Sequence, residues 1–385
     1  MERRDFLRLA GILGLGAVVG CGSEPDVTSG SYDGTVLVIG AGAAGKSAAP
    51  ELARAGVEVT VLEAAETHGG RIKTARDFVD FPVPLGGEWL HTDAEVLQGL
   101  TGLEQPGIQM AGYGETESYG SFDAGALTVT DIEGSADLKF VGRTWLDVFD
   151  EFIVPTIADR FRFGVEVASI DHGGDRVVVT ATDGTTHEAD KVIVTAPITA
   201  VRDRITFVPD LPDDRRETLD AAKVWGGFKA FIEFEERFYP GLVEIAGRSG
   251  DDGQHLYYDA AHGQDTDRHV LGLFTVGTGS EPYQAALARG ELQEVILGEL
   301  DEVFDGAASA NYLQHIAQDW SAEPHIGMAY LADDADWQTP RKLAEPIGDR
   351  VYFAGDAYID DGEDGWSMVH LAAKAGRVAV DDILV

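Results

Sequence analysis

The chain has 385 residues, of which 67 are acidic and only 29 are basic, so its formal charge at pH 7 is −38. A surface of this charge repels the phosphate backbone of nucleic acids, which excludes a nucleic-acid partner. The acids are dispersed along the chain, as expected for a solvated surface adapted to high salt; attraction of cationic substrates is the alternative explanation.

Residues 1–21 are expected to be an export signal. Residues 3–8 begin with two arginines and resemble a twin-arginine signal, and the 12 apolar or small residues at 9–20 are fewer than the about 20 that span a bilayer. The single cysteine, Cys21, ends a segment that resembles a bacterial lipobox, in which that cysteine is lipidated. We therefore expect export by the Tat pathway to the cell envelope, with membrane contact only through the lipid anchor. A plain signal peptide or an uncleaved anchor is the alternative, and residues 22–34 would form a flexible linker.

Residues 36–45 predict the start of a dinucleotide-binding unit. An apolar run typical of a buried parallel strand leads into three glycines: Gly40, Gly42 and Gly45. Their spacing permits a tight turn, close approach of the backbone to a pyrophosphate, and close packing of a helix predicted at 43–55. The N-terminus of that helix would bind the phosphates. A second strand, predicted at 57–62, leads into Glu63, where an acidic residue would bind a ribose hydroxyl.

The same glycines allow a second interpretation. Residues 40–47 also match the P-loop pattern of nucleotide triphosphate sites, because Lys46 and Ser47 follow the third glycine. A P-loop does not require Glu63, whereas a dinucleotide site does. The dinucleotide interpretation is therefore favoured.

The rest of the chain predicts further strands and two helical regions. Alternating or apolar runs predict strands at 165–170, 176–181, 192–195, 228–234 and 351–354. Helical periodicity extends over 282–304, with acids on the outer face, and a final helix is predicted at 368–384. Sheet segments near both ends and in the middle imply a cofactor domain assembled from distant pieces, with a second domain threaded between them.

Several short motifs together resemble flavin-containing amine oxidases of the monoamine and polyamine oxidase type. They occur in that family's order at residues 40–45, 63, 69–71, 85–89 and 351–356, and residues 367–370 open the final helix. The C-terminal motif is the discriminating one, because a dehydrogenase that uses NAD needs no second cofactor-binding strand so far along the chain. The resemblance implies an α/β fold with a Rossmann-like FAD-binding domain and a second, mixed-sheet and helical substrate domain.

The resemblance also implies which residues bind FAD. They are Gly40, Gly42, Ala44, Gly45, Glu63, Arg71, Gly86, Gly87, Trp89, Val167, Trp320, Gly355, Asp356, Met368 and Val369. Arg71 would neutralise the phosphates and Asp356 would accept a hydrogen bond from the ribityl chain. The helix that begins near Met368 would direct its N-terminal amides at the flavin ring. For Val167, an ordinary strand valine is an equally good explanation. Family members with covalent flavin use a cysteine in the C-terminal half, which is absent here, so noncovalent FAD is expected.

Lys229 is the candidate catalytic residue. Alternation along 228–234 alone favours a solvated lysine, because the apolar residues occupy the other face of the strand. Residues 229–239 nevertheless resemble the family segment whose lysine holds a water against flavin N5. The resemblance therefore implies a buried ammonium with a lowered pKa that assists flavin reoxidation or proton handling.

The substrate region departs from the family pattern. Tyr330 and His91 fall where family members have substrate-facing residues, although core packing is an alternative for Tyr330. Met368 stands where monoamine oxidases have an aromatic residue, so the aromatic cage is incomplete unless Trp366 substitutes. Only about 50 residues separate Leu90 from Phe140, where the family normally has a longer helical insertion. A shallower or more open site is expected, and no metal-binding pattern is present.

These observations give one functional hypothesis and two alternatives. The FAD-binding domain would comprise residues 35–91, 141–200 and 340–385, and the substrate domain 92–140 and 201–339. The protein would transfer a hydride from the carbon of a C–N bond in a small amine to flavin N5, with oxygen or another electron acceptor completing the cycle. The alternatives are an FAD-dependent desaturase or dehydrogenase of an apolar substrate, and a non-catalytic flavin-binding envelope lipoprotein.

Overall fold

The computed structural model describes residues 32–113, 117–131, 137–333, 335–359 and 365–385. Its first layer is a five-stranded parallel sheet, as the apolar runs predict. In spatial order the strands are Val351–Phe353, Lys191–Val194, Thr35–Ile39, Glu58–Leu62 and Phe161–Arg162. Parallel strands that are buried on both faces require such nearly continuous apolar sequence.

Both faces of the parallel sheet are covered. On one face lie the helices Ala43–Arg54 and Val369–Leu384, which contact each other so closely that a Cβ on Gly376 would lie 2.2 Å from the Ala44 carbonyl oxygen. On the other face lies a four-stranded sheet, whose apolar side chains share a core with the parallel strands. Its strands, in spatial order, are Thr186–Ala189, Val177–Ala181, Val167–Asp171 and Thr206–Val208.

A seven-stranded mixed sheet forms the second large unit. Its strands, in spatial order, are Tyr312–Asp319, Gly227–Phe234, His269–Gly277, Gly253–Asp259, Leu242–Ile245, Ser118–Asp123 and Ala126–Asp131. All neighbours are antiparallel except Leu242–Ile245 and Ser118–Asp123, which are parallel. The short segment between Leu90 and Phe140 thus supplies two strands at one edge of this sheet.

The helical periodicity predicted over 282–304 corresponds to two helices in the structure. Two helices, Glu281–Arg289 and Leu292–Val303, cover one face of the seven-stranded sheet. The first ends at Gly290, whose φ of +73° is left-handed and favours glycine. The apolar periodicity continues across this break because both helices pack on the same sheet.

Shorter elements connect these layers. The remaining α-helices are Val96–Thr101, Trp145–Phe152, Val154–Ile157, Ile198–Asp203, Asp213–Ala221, Ala307–Asn311 and Gln338–Ala344, with 3-10 helices at Ala158–Arg160 and Thr278–Ser280. Three antiparallel strand pairs are Thr74–Ala75 with Val83–Pro84, Met110–Gly112 with Leu138–Phe140, and Val224–Trp225 with Tyr330–Leu331. In the described part of the chain, no helix is both long enough and apolar enough to cross a membrane.

One strand bears on the predicted domain division. Thr206–Val208 belongs to the segment assigned to the substrate domain, yet it pairs in parallel with Val167–Asp171 beside the five-stranded sheet. Phe207 is buried in the same core as Phe353. The exact domain boundaries stay a prediction.

Candidate active site

A continuous cavity of about 790 Å³ lies at the carboxyl ends of the parallel strands and extends to the seven-stranded sheet. This volume is within the range of about 300–1,000 Å³ for small-molecule and cofactor sites. The predicted site residues that line it are Gly40, Gly42, Ala44, Glu63, Arg71, Gly86, Gly87, Trp89, His91, Val167, Lys229, Trp320, Tyr330, Gly355, Asp356, Met368 and Val369. Gly45 does not line it, and Cys21 and the proposed signal lie outside the described residues.

Glycine is required for a different reason at each of the positions Gly40, Gly42 and Gly45. Gly40 has a φ of +105°, which makes the sharp turn out of the strand. A Cβ on Gly45 would lie 2.0 Å from the Gly40 carbonyl oxygen, so this glycine lets the helix pack against the turn. A Cβ on Gly42, by contrast, would meet no protein atom within 4 Å and would project where the cavity is open. The residues therefore fit a dinucleotide pyrophosphate, which needs that space.

Glu63 is held in place at the end of its strand by two backbone amides. Its Oε2 accepts a hydrogen bond from the Ala41 N–H at 2.6 Å, and its Oε1 accepts one from the Ala65 N–H at 2.9 Å. A carboxylate has about four acceptor sites, so two amides leave capacity for ligand hydroxyls. The position agrees with the predicted ribose contact, which stays a prediction.

Arg71 and Asp356 bind each other across the cavity wall. Nη1 of Arg71 donates to Asp356 Oδ2 at 3.0 Å and to the Ala329 carbonyl oxygen at 2.5 Å, and Nη2 donates to Asp356 Oδ1. The sequence interpretation assigned the arginine to phosphates and the aspartate to the ribityl chain. In the structure the guanidinium and the carboxylate form a forked pair and both line the cavity, and the two ligand contacts stay predictions.

The backbone at 85–87 is tightly enclosed. A Cβ on Gly86 would lie 1.9 Å from the Arg71 carbonyl oxygen, and one on Gly87 would lie 2.6 Å from Val369 Cγ2. Trp320 Nε1 donates to the Leu85 carbonyl oxygen at 2.9 Å. Met368 is the N-cap of the helix Val369–Leu384, so the helix N-terminus faces the same part of the cavity. The segment thus presents flat backbone, an indole and a positive helix end to one region.

Lys229 is buried, and its three ammonium hydrogens all have protein acceptors. Nζ lies 2.7 Å from Glu88 Oε2, 3.0 Å from the Pro84 carbonyl oxygen and 3.1 Å from the Gly86 carbonyl oxygen. Both charged side chains are 4% exposed. Burial lowers the pKa of Lys229, although attraction to Glu88 opposes this shift. The exposed face suggested by alternation is wrong, because the whole strand Gly227–Phe234 is buried.

Glu88 is the residue that sequence reasoning missed. Besides Lys229, it accepts a hydrogen bond from the Tyr258 hydroxyl at 2.6 Å, and Lys139 Nζ lies 3.9 Å from its Oε1. Burial and the Glu88 charge raise the pKa of Tyr258 well above its ordinary value. Burial lowers the pKa of Lys139. The available signal was an acidic residue between the two glycines and Trp89 in an otherwise apolar motif.

Aromatic side chains form the walls beyond this pair. The Trp89 ring packs edge-on against Tyr258, with centroids 4.8 Å apart, and against Phe274 at 5.9 Å. Tyr330 packs against Trp225, and its pKa is raised well above the ordinary value by burial and by Asp333. Trp366 also lines the cavity, with Nε1 donating to the Leu331 carbonyl oxygen at 3.1 Å.

Several carboxylates line the same end of the cavity. His91 Nδ1 lies 2.9 Å from Oδ1 of the buried Asp137, and Gln254 Nε2 donates to Asp333 Oδ2 at 2.5 Å. Glu323 accepts a hydrogen bond from Gln318 at 2.6 Å. Glu323 is also paired with Lys73, whose Nζ lies 3.2 Å from Glu323 Oε2 and which lines the cavity too, so the charge of these acids is partly compensated. No cluster suited to a metal ion occurs among the residues that the structure describes.

Comparison with known proteins identifies similar sequences and folds. A family model described as flavin containing amine oxidoreductase matches residues 146–384, and one described as an NAD(P)-binding Rossmann-like domain matches residues 38–101. Lysine-specific histone demethylase 1B of Mus musculus is 25% identical over 91% of this chain and 53% of its own length. Polyamine oxidase 4 of Oryza sativa subsp. japonica is 24% identical over 90% of this chain and 88% of its own.

A solved structure shares the overall fold. Putrescine oxidase bound to putrescine superposes with a TM-score of 0.73 at 17% identity, over 91% of this chain and 99% of that one. The chain spans about half the length of the histone demethylase that it matches. The α/β architecture, with a parallel Rossmann-like sheet and a mixed second sheet, is therefore shared with structures of amine oxidases.

Proposed function

The chain belongs to the flavin containing amine oxidoreductase family, and we propose that it oxidises a small amine with noncovalently bound FAD as cofactor and oxygen as electron acceptor. The observation that carries this proposal is the continuity of the cavity. One cavity reaches from the glycine turn and Glu63 to the aromatic and acidic end that contains Trp89 and Asp333. A dinucleotide and a small cationic substrate fit its two ends.

FAD, when bound, supplies the acceptor for the hydride that leaves the carbon next to the amine nitrogen. The chain supplies binding, orientation and exclusion of water. Gly42 leaves room for the pyrophosphate, and the N-terminus of the helix Val369–Leu384 supplies positive potential where negative charge develops. Trp320, fixed by its bond to Leu85, and Trp89 form walls that exclude water from the reacting end.

The Lys229–Glu88 pair is proposed to hold a proton next to the reacting end. Its Glu88 Oε2 atom bonds both the ammonium and the Tyr258 hydroxyl, so a proton can be shared at this oxygen. The ammonium also fixes the carbonyls of Pro84 and Gly86, which orients the backbone beside the flavin position. Both effects depend on the same lysine, so it is proposed as catalytic.

The carboxylates favour an amine over an apolar substrate. Asp137 and Asp333 line the cavity, and a desaturase acting on a C–C bond has no need of them. Putrescine, bound in a structure of similar fold, is a diamine that such acids suit. His91 and Tyr330 are proposed to face the substrate.

Noncovalent binding and export are separate parts of the proposal. Cys21, in the proposed signal, is the only cysteine in the sequence, so no residue of the predicted FAD-binding segments can form a thioether to flavin. The twin-arginine pattern and Cys21 support export and lipid anchoring. Metabolic labelling with a radioactive fatty acid, compared between the wild type and Cys21→Ser, tests the anchor; labelling of both proteins alike contradicts it.

The proposed function is tested by the visible spectrum of purified protein before and after anaerobic addition of a panel of amines. The expected result is a flavin spectrum that an amine bleaches, followed by peroxide release when oxygen is admitted. Reduction by dithionite is the control that the flavin is accessible to electrons. Bleaching by an apolar substrate without peroxide selects the desaturase alternative, and no bleaching by any substrate selects a binding protein. A colourless protein that binds ATP contradicts the proposal.

A further inference from the structure

Lys46 is a buried cation for which the proposed reaction has no role. It lies in the first turn of the helix Ala43–Arg54, directly after Gly45. Its side chain is 0% exposed, and its Nζ has no hydrogen-bond partner among the described residues. The nearest aromatic ring is that of Phe149, whose centroid is 4.5 Å from Nζ. Burying an unpaired ammonium costs several kcal/mol, so this position needs an explanation.

The groups that face Lys46 come from three elements at the phosphate-binding end of the cavity. They are Asp150 of the helix Trp145–Phe152, Glu63 after the strand Glu58–Leu62, and His68 in the following loop, and all three line the cavity. Burial lowers the pKa of Lys46 to about 7, although both carboxylates oppose this shift. Burial and repulsion from Lys46 also lower the pKa of His68. Nearby acids therefore compensate the ammonium only in part.

A P-loop does not explain the burial. In a P-loop the lysine reaches the phosphates and the following hydroxyl binds a metal ion. Here neither Lys46 nor Ser47 lines the cavity, and Ser47 Oγ is buried without a hydrogen-bond partner among the described residues. Any action of Lys46 on a bound phosphate must therefore pass through the glycine turn, without direct contact.

We propose that Lys46 retains the dinucleotide electrostatically, its buried ammonium attracting the pyrophosphate of FAD at the turn between Gly42 and Gly45. This inference rests on the proposed FAD binding and adds a residue to it. Water does not screen a charge at this depth, so it acts over several ångströms through protein. At an effective dielectric constant of about 20, the Coulomb energy falls only as the inverse of distance, so an ammonium that acts through the turn is expected to raise the affinity about 10–100-fold.

The proposal predicts the direction in which FAD affinity changes with pH. Bound pyrophosphate raises the pKa of Lys46 above its value of about 7 in the apoprotein. At pH values between the pKa of Lys46 in the free protein and its pKa in the complex, FAD binding is therefore accompanied by proton uptake. FAD affinity is highest below about pH 7 and falls as the pH rises toward the pKa of the bound state.

The test compares the FAD dissociation constants of the apoproteins of the wild type and Lys46→Met by flavin fluorescence, from about pH 6 to about pH 9. At low pH the variant is expected to bind about 10–100-fold more weakly, and its affinity should not share the fall with pH. Lys191→Met is the matched control, because Lys191 is also buried in the parallel sheet but pairs with Asp349. Its FAD affinity should equal that of the wild type.

Stability and proton uptake separate this role from a structural one. Urea unfolding should find Lys46→Met apoprotein at least as stable as the wild type, because the variant loses a buried unpaired charge. Calorimetry of wild-type FAD binding in two buffers of different ionisation enthalpy should show uptake of a substantial fraction of one proton near pH 8. Equal affinity of both proteins, or no proton uptake, overturns the inference while leaving FAD binding intact. Failure of the wild-type apoprotein to bind FAD overturns the proposed function itself.

Discussion

Replacing Lys229 with methionine tests whether the buried charge pair acts in the reaction or only in the fold. The substitution keeps most of the side-chain length but removes the ammonium that donates to Glu88 and to two carbonyls. Among the described residues, Glu88 then keeps the Tyr258 hydroxyl at 2.6 Å and Lys139 Nζ at 3.9 Å. The stability of the variant therefore reports how much it costs to bury a poorly compensated carboxylate.

The expected loss of stability follows from this geometry. Removing one partner of a buried ion pair costs about 3–5 kcal/mol, and the remaining contacts of Glu88 should reduce this to about 2–4 kcal/mol. Glu88→Gln should cost a similar amount, because it leaves two buried ammonium groups, Lys229 and Lys139, without their shared carboxylate. The double variant contains neither charge of the pair, so its loss in free energy of unfolding should be at least about 2 kcal/mol smaller than the sum of the losses in the two single variants.

Two measurements are needed for the four proteins. Urea unfolding of the apoproteins gives the coupling energy without a contribution from FAD binding. Stopped-flow spectroscopy of the loaded proteins separates flavin reduction by amine from reoxidation by oxygen, and Lys229→Met should slow at least one half-reaction by about 10–1000-fold. Lys342→Met, in which an exposed lysine is replaced, is the control and should change stability by less than about 0.5 kcal/mol.

Two outcomes would refute the reasoning in different ways. Wild-type rates in both half-reactions would remove Lys229 from the catalytic residues and leave it a residue of the fold. Additive free energies for the two single variants would show that the pair does not interact as its 2.7 Å distance implies.

Three further predictions concern the cofactor and the charged surface. Gly42→Ala should weaken FAD binding at least about 10-fold yet leave apoprotein stability within about 0.5 kcal/mol, because a Cβ there meets no protein atom within 4 Å. Gly45→Ala is the contrast and should destabilise the apoprotein. Equal FAD affinities of Gly42→Ala and the wild type in a titration would contradict the proposed phosphate position. Glu63→Ala should weaken FAD binding by about 1.5–3 kcal/mol in the same titration, and release of FAD by acid precipitation should show that it is noncovalent. The melting temperature should rise from about 0.05 to about 2 M KCl because salt screens the repulsion among excess acids; a flat or falling curve contradicts adaptation to high salt.

The phosphate-binding unit could be predicted closely because its determinants are local. The helix predicted at 43–55 is Ala43–Arg54, and the strand predicted at 57–62 is Glu58–Leu62. Glycines that permit a turn and an apolar run that permits burial act within a few residues of each other. Contacts with distant parts of the chain are therefore not needed to determine where this strand, turn and helix form.

The Lys229–Glu88 pair could not be predicted in this way. The two residues are 141 positions apart in sequence, and no periodicity connects them. Alternation predicted one exposed face for the strand Gly227–Phe234, whereas packing against two neighbouring strands and layers on both sides buries all eight residues. Family resemblance indicated the lysine correctly as buried but gave no indication of its carboxylate partner.

The order of strands in the parallel sheet has a consequence for when the cofactor can be loaded. The strand Val351–Phe353 pairs with Lys191–Val194, which in turn pairs with Thr35–Ile39. The helix Val369–Leu384 then packs on Ala43–Arg54, more than 300 positions earlier in the sequence. Contacts of such high sequence separation form late and slowly. The cavity therefore cannot be complete before residues 351–385 have left the ribosome, and enclosure of FAD has to wait for these residues.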